Sequence, residues 1–436
     1  MSQHATRHWM RGATVLLALA ASLLLWALWR GDWTPAATDT APGGAQAVER
    51  GARLAVAGNC AACHTARGGL PYAGGRGIAT PFGTVFAGNL TPDDDTGIGR
   101  WTNADFWRAL HHGRSRDGHR LIPAFPYPSF TQVTREDADA LHAYLRSLPP
   151  VRQANTPHAL RWPYGSPVAL AVWRALYFRP GPEDITDSID PDRGPEWNRG
   201  AYLVRGLGHC QACHGRRDLL GGLGDAAALE GGRLPQQGWY APSLADPAEA
   251  GVMQWPADEV LRLLRTGTST QGIAQGPMAE VVVRSTQHLP EADLRAIVAY
   301  LRSLPAPPPP PPAASKPQAA SEAEQGPIRD RSAMARGERL YADHCRACHG
   351  DQGQGAPGIY PALAGSRMVT MDDPTNLLRV ITQGGFAPAT ADNPRPYGMP
   401  PFDLHDADLA ALTTWMRASW GHDAAPVSAA QVITTR

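Results

Sequence analysis

An all-α chain of three tandem, loop-rich domains behind an N-terminal apolar helix is the fold this sequence predicts, on three observations. The motif Cys-x-x-Cys-His occurs three times, as CAACH at Cys60–His64, CQACH at Cys210–His214 and CRACH at Cys345–His349. The segments flanking the motif repeat with it. Gly 45 and Pro 41 together make about a fifth of the 436 residues, which favours short helices joined by long turns. At roughly 100–200 residues per domain, this length suits about three domains.

Taken in order, Arg7 and Arg11 precede an uncharged run, Ala13–Trp29, that ends at Arg30. This leader, residues 1–31, reads as an export signal. It is short for a membrane span and long for a signal-peptide core. Trp26 and Trp29 at its outer end resemble an interfacial belt, and no small-x-small cleavage site follows directly. An uncleaved anchor is expected, with a cleaved signal as the alternative.

The opening segments ERGARLAVAGNCAACH (Glu49–His64), NRGAYLVRGLGHCQACH (Asn198–His214) and ARGERLYADHCRACH (Ala335–His349) each predict a short helix with Arg-Gly and an apolar face. The closing segments are DADALHAYLRSLP (Asp137–Pro149), EADLRAIVAYLRSLP (Glu291–Pro305) and DADLAALTTWMRASW (Asp406–Trp420). Their apolar residues recur at helical spacing, with acids in the first turn and bases in the last, which suits the helix dipole. Closing helices are expected to pack on opening ones. The domains are therefore placed at 45–150, 195–304 and 330–425, with a C-terminal tail at 426–436. In the linker 151–194, Ser166–Phe178 predicts a short apolar helix that packs between domains or meets a membrane or partner subunit. The linker 305–329 contains Pro307–Pro312 and is expected to be a polyproline tether.

The motif decides the chemistry. On a helix its two cysteines and histidine share one face. Two such thiols can form thioethers to the vinyl groups of one haem, while the imidazole reaches the iron. Three covalent haems c follow, held by Cys60, Cys63 and His64, by Cys210, Cys213 and His214, and by Cys345, Cys348 and His349. Zinc is the alternative. A closed zinc site wants four Cys or His ligands, and pooling two motifs would strand the third pair. All six cysteines lie in the motifs, so none remains for disulfides or nucleophilic catalysis. Forty basic residues balance forty acidic ones, which argues against a nucleic-acid partner.

The sixth iron ligand distinguishes one haem from another. A methionine thioether raises the potential and suits electron transfer. Met399, in the proline-bounded YGMPPF, is the candidate in the third domain, ahead of Met368, Met371 and Met416; Met278, in QGPMAEV, occupies the matching loop of the second, ahead of Met253. The first domain has no methionine, because none lies between Met10 and Met253. Alignment puts Phe125 opposite Met278. His111, His112 and His119 lie in the same region and His142 on the closing helix; each alone reads as a solvated residue, but the missing methionine makes each a candidate ligand. An open iron is the other outcome.

Beyond the motifs, NLTPDDDTGIGRWT (Asn89–Thr102), IPAFPYPSF (Ile122–Phe130), EWNRGAYLVRGLGHCQACH (Glu196–His214), GPMAEVV (Gly276–Val282) and YGMPPF (Tyr397–Phe402) resemble the triheme cytochrome c subunits of bacterial membrane-bound periplasmic dehydrogenases. The resemblance covers nearly everything after residue 45. It implies three class I cytochrome c domains, axial Met278 and Met399, and a methionine in many relatives where Phe125 stands here. It also implies an electron-transfer subunit of a dehydrogenase complex rather than an enzyme. A separate quinoprotein, flavoprotein or molybdenum hydroxylase would oxidise an alcohol, sugar, aldehyde or related substrate. Electrons would pass to ubiquinone or another respiratory acceptor, with the haem domains on the periplasmic side of the inner membrane. The rival is a haem enzyme or gas or peroxide sensor acting at the first iron.

Overall fold

The computed structural model describes residues 43–182, 189–225, 227–234, 236–305 and 331–436, with Val15, Ser22, Asp39 and Thr186 besides. The expected anchor, apart from Val15 and Ser22, and nearly all of the proline-rich linker lie outside the described residues. Among the described residues no helix is long and apolar enough to cross a membrane. The chain divides into two compact units. One comprises Met1–Ala52, Cys63–Thr186 and Arg217–Leu223, the other Arg53–Ala62, Asp187–Arg216 and Gly224–Arg436.

The first repeat runs α1 (Ala45–Ala57), α2 (Cys60–His64), β1 (Gly77–Thr80), β2 (Gly83–Phe86), α3 (Asn103–His112), α4 (Tyr127–Phe130) and α5 (Arg135–Ser147). A short strand β3 (Ala159–Leu160) and helix α6 (Pro167–Tyr177) follow. Strands β1 and β2 form an antiparallel hairpin, and β3 adds to β2 with Gly83 opposite Leu160. A Cβ on Gly83 would sit 2.3 Å from the Ala159 carbonyl oxygen, so only glycine lets β3 approach. Helix α3 starts at a capping box of Thr102 and Asp105 and stops at Gly113, whose φ of 59° is left-handed. Helix α6 starts at Ser166, which accepts from the Ala169 amide, with Pro167 in its first turn. It buries Leu170, Ala171, Arg174 and Ala175, and Arg174 lies over the rings of Tyr127 and Phe178 at 5.2 and 4.6 Å.

The second repeat contains α7 (Pro195–Ala201), continued by a π-helical turn at Tyr202–Leu207, α8 (Gln211–His214), strands β4 (Gly232–Arg233) and β5 (Tyr240–Ala241), α9 (Ala257–Thr266), α10 (Gly276–Arg284) and α11 (Glu291–Arg302). The third contains α12 (Arg331–His344), α13 (Arg346–His349), α14 (Arg367–Thr370), α15 (Thr375–Gln383), strands β6 (Gly385–Phe386) and β7 (Gly398–Met399), and α16 (Asp406–Ala418). Residues expected as a tail form one more helix, α17 (Ala429–Thr435), because Ser428 and Gln431 make a capping box and Val427 and Val432 are buried.

The recurring Arg-Gly of the opening helices has one structural reason in all three repeats. A Cβ on Gly51 would lie 1.9 Å from the Ala140 carbonyl oxygen, on Gly200 1.9 Å from that of Ala296, and on Gly337 2.4 Å from that of Ala411. Opening and closing helices therefore cross at the glycine, backbone against backbone. Tyr144, Tyr300 and Trp415 close over the same three points. Each preceding arginine pairs with an aspartate in the first turn of the closing helix. Arg50 Nε reaches Asp137 at 2.5 Å, Arg199 grips both oxygens of Asp293 at 2.8 and 3.0 Å, and Arg336 pairs with Asp408. Those aspartates also face the positive end of their helix.

Candidate haem sites

Helix α2 contains the whole first motif, and α8 and α13 begin one residue after Cys210 and Cys345. None of the six cysteines is joined in a disulfide. Burial pushes the Cys210 thiol up to about 12 and that of Cys345 up to about 11. Among the described residues, no three Cys, His, Asp or Glu side chains gather as a metal cluster would require. Two thiols and an imidazole on one helical turn fit thioether attachment.

The histidines are held alike. His64 Nδ1 bonds to the Gly88 carbonyl at 2.7 Å, His214 Nδ1 to that of Pro242 at 2.8 Å, and His349 Nδ1 to that of Pro361 at 3.0 Å. A carbonyl can only accept, so Nδ1 carries the proton and Nε2 keeps the lone pair that iron needs. Burial holds all three imidazoles below their ordinary pKa, with the carbonyl bond opposing it, and so favours the neutral form. Sequence reasoning missed these carbonyls. A signal was present: each belongs to a residue followed two positions later by leucine, in Gly88-Asn-Leu90, Pro242-Ser-Leu244 and Pro361-Ala-Leu363.

The first two motifs share a local design. Asn59 and His209, just before the first cysteine of each, have left-handed φ of 49° and 38°, and each follows a glycine. The two segments touch. His209 Nε2 bonds to the Gly58 carbonyl at 3.2 Å, and a Cβ on Gly58 would meet Leu207 at 3.2 Å and Cys60 Sγ at 3.3 Å. In the third repeat α12 instead runs as regular helix to His344, next to buried Cys345.

Met399 sits in β7, half-buried, against the core that contains Tyr341 and Cys345. Met416 is buried in that core, as its place in the closing helix predicts, and Met371 is buried in the fold while its carbonyl accepts from Arg417. Met278, expected in a loop, lies instead in the first turn of α10, because Pro277 pre-sets the backbone for helix entry.

The first repeat departs further from expectation. His111 and His112 end α3 rather than lying in a loop, and both are buried, as is His142. His111 Nε2 bonds to the Gly181 carbonyl at 3.0 Å and its ring stacks on Trp107. Burial and the neighbouring His111, Arg174, Arg108 and Arg114 lower His112 to about 3. His142 Nδ1 bonds to Asn103 Oδ1 at 2.5 Å and its ring stacks on Phe106. His119 alone of the four is a solvated residue, paired with Asp117. Phe125 is half-buried with its ring 5.3 Å from that of Phe130.

The cytochrome c family model matches residues 48–149, 198–305 and 334–420, which takes in all three motifs and all three helix crossings. The chain belongs to the cytochrome c family. It is 38% identical over 400 residues to the cytochrome c subunit of a quinone-linked alcohol dehydrogenase from Komagataeibacter europaeus, covering 89% of this chain and 84% of that one. It is 36% identical over 400 residues to the gluconate 2-dehydrogenase cytochrome c subunit of Pantoea cypripedii, covering 89% of each. One of the subunits of nicotinate dehydrogenase from Pseudomonas putida is 39% identical over 428 residues, which are 96% of this chain and only 34% of that protein. This cytochrome c carries covalently bound haem c, and its role is electron transfer.

Proposed function

We propose that this cytochrome is the triheme relay of a periplasmic dehydrogenase complex on the inner membrane, taking electrons from a separate catalytic subunit and delivering them to ubiquinone or another respiratory acceptor. The observation that carries this reading is the threefold recurrence of one complete attachment site, down to the carbonyl behind each histidine, in a chain similar along its length to dehydrogenase cytochrome subunits. When bound, each haem supplies an iron that gains and loses one electron at a time.

The chain's own residues tune and position. His64, His214 and His349 present Nε2, and their carbonyl partners keep each ring in one orientation. Met278 and Met399 supply the sixth ligands of the second and third sites. The first site, with Phe125 at the matching position, takes no methionine. The bond from His209 to Gly58 joins the segments that lead into Cys60 and Cys210. In the second unit, the Tyr240 amide and carbonyl bond to the Asn376 side chain at 3.0 and 2.7 Å, which ties the second repeat to the third.

The partner is a quinoprotein, flavoprotein or molybdenum hydroxylase. The test uses the purified, haem-loaded chain. It is expected to accept electrons from a chemical reductant and to oxidise no alcohol, sugar or aldehyde. Turnover of an organic substrate by the isolated chain would overturn the reading in favour of a haem enzyme.

A further inference from the structure

The first compact unit exposes large apolar side chains from three sequence-distant places that meet. Trp162 is 88% exposed in the turn before α6, Leu219 is 97% exposed in the turn Asp218–Gly222, and Leu176 is 52% exposed on α6. Their meeting is set by specific contacts. Trp173 Nε1 donates to the Leu220 carbonyl at 3.1 Å, and Tyr177 OH donates to Asp218 at 2.6 Å, which fix the turn on α6. A Cβ on Gly221 would lie 3.0 Å from Phe82, whose ring stands 4.7 Å from that of Tyr164, two residues after Trp162. These contacts hold the segments that carry Trp162, Leu219 and Leu176 together.

Its rim is basic. Arg161, Arg179, Arg217 and Arg120 are tied to the carbonyls of Pro81, Phe178, Gly221 and Pro167, all in the segments that build the face. The stretch Leu160–Arg179 contains no acid, and its Arg161 and Arg179 are exposed while Arg174 is buried. Protruding Trp and Leu side chains with an arginine fringe match the layered chemistry of a bilayer surface, apolar below and anionic at the headgroups. The tether points the same way. The ten chain steps from Trp29 lead to Asp39, whose carboxylate accepts from the Ala104 amide at 3.2 Å at the start of α3 in the same unit. At 3.3–3.6 Å per residue they span at most about 35 Å.

We propose that this face is a lipid-contact surface that seats the first unit on an anionic bilayer. It rests on the reading of Ala13–Trp29 as an anchor only for its tether. A nitroxide on Leu219→Cys in the full, haem-loaded chain tests it, since thioethers consume the native cysteines and a 97% exposed side chain contributes little to folding. The chain is placed in phosphatidylethanolamine and phosphatidylglycerol vesicles, with Glu136→Cys as reference. Collisions of the Leu219→Cys label with a water-soluble nickel chelate are expected to fall severalfold, and collisions with oxygen to rise. A second label at Trp162→Cys should behave alike. Labels that stay in water on the vesicles overturn the proposal, including the case in which only a dehydrogenase subunit shields them, which would make this a protein-docking face. Alkaline carbonate extraction separates the two readings. Release by carbonate of a chain whose labels were lipid-buried sinks the anchor and leaves this surface standing; retention with labels in water does the reverse.

Discussion

Each attachment histidine owes its chemistry to a backbone carbonyl that pins Nδ1, and the three lengths of chain between them, 24, 28 and 12 residues, show that loops of very different size converge on the same bond. The motif residues stand out in the sequence because thioether chemistry needs both cysteines and the histidine in one turn. The carbonyls do not, since backbone groups leave no residue-type signal. Intact mass of the mature protein is expected to show three haems; two or fewer, from cells with full maturation machinery, would contradict the attachment assignment. Met278→Ala and Met399→Ala are each expected to remove about half of the methionine-to-iron charge-transfer absorption, because each is proposed to supply one of two thioether ligands. A wild-type band that survives both substitutions would show a methionine at the first site. Phe125→Met is expected to raise one reduction potential.

At the scale of elements, the helix crossings explain a repeat whose presence the sequence displayed and whose reason it did not. Arg-Gly reads as a recurring pair, but only the packed helices show the glycine against a carbonyl and the arginine on the closing aspartate. Gly200→Ala must push α7 from α11 and is expected to cost about 2 kcal/mol or more in denaturant unfolding. A change within 0.5 kcal/mol would mean that the crossing relaxes freely. The buried histidines read as solvated in the sequence, yet α3 runs on to His112 before Gly113 stops it, and Phe106 and Asn103 on α3 receive His142. His142 has a folded pKa of about 4, against 6.5 unperturbed, chiefly from burial and next from Arg146, with Asp39 and Asp105 opposing. Its proton therefore binds the unfolded chain first. The stability it contributes is present above pH 6.5 and is lost as pH falls toward about 4, on the order of 3 kcal/mol. His142→Gln should flatten that part of the stability profile, and an unchanged acid slope would assign it to other groups.

For the whole molecule, three sequence repeats become two compact units, because local pattern records what each repeat is built from and long-range contact decides what it joins. Arg53–Ala62 belongs with the second unit, where Gly58 meets Leu207 and His209, and Arg217–Leu223 with the first, where its turn docks on α6. Neither exchange has a signature in residue type. On the function proposed above, this triheme cytochrome is a relay and not a catalyst. Deleting its gene and assaying membranes with the partner's substrate tests this most directly. Substrate-dependent ubiquinone reduction is expected to vanish while the dehydrogenase still reduces a soluble dye, and Cys348→Ala should reproduce this by removing one attachment. Unchanged ubiquinone reduction in the deletion strain would contradict the account.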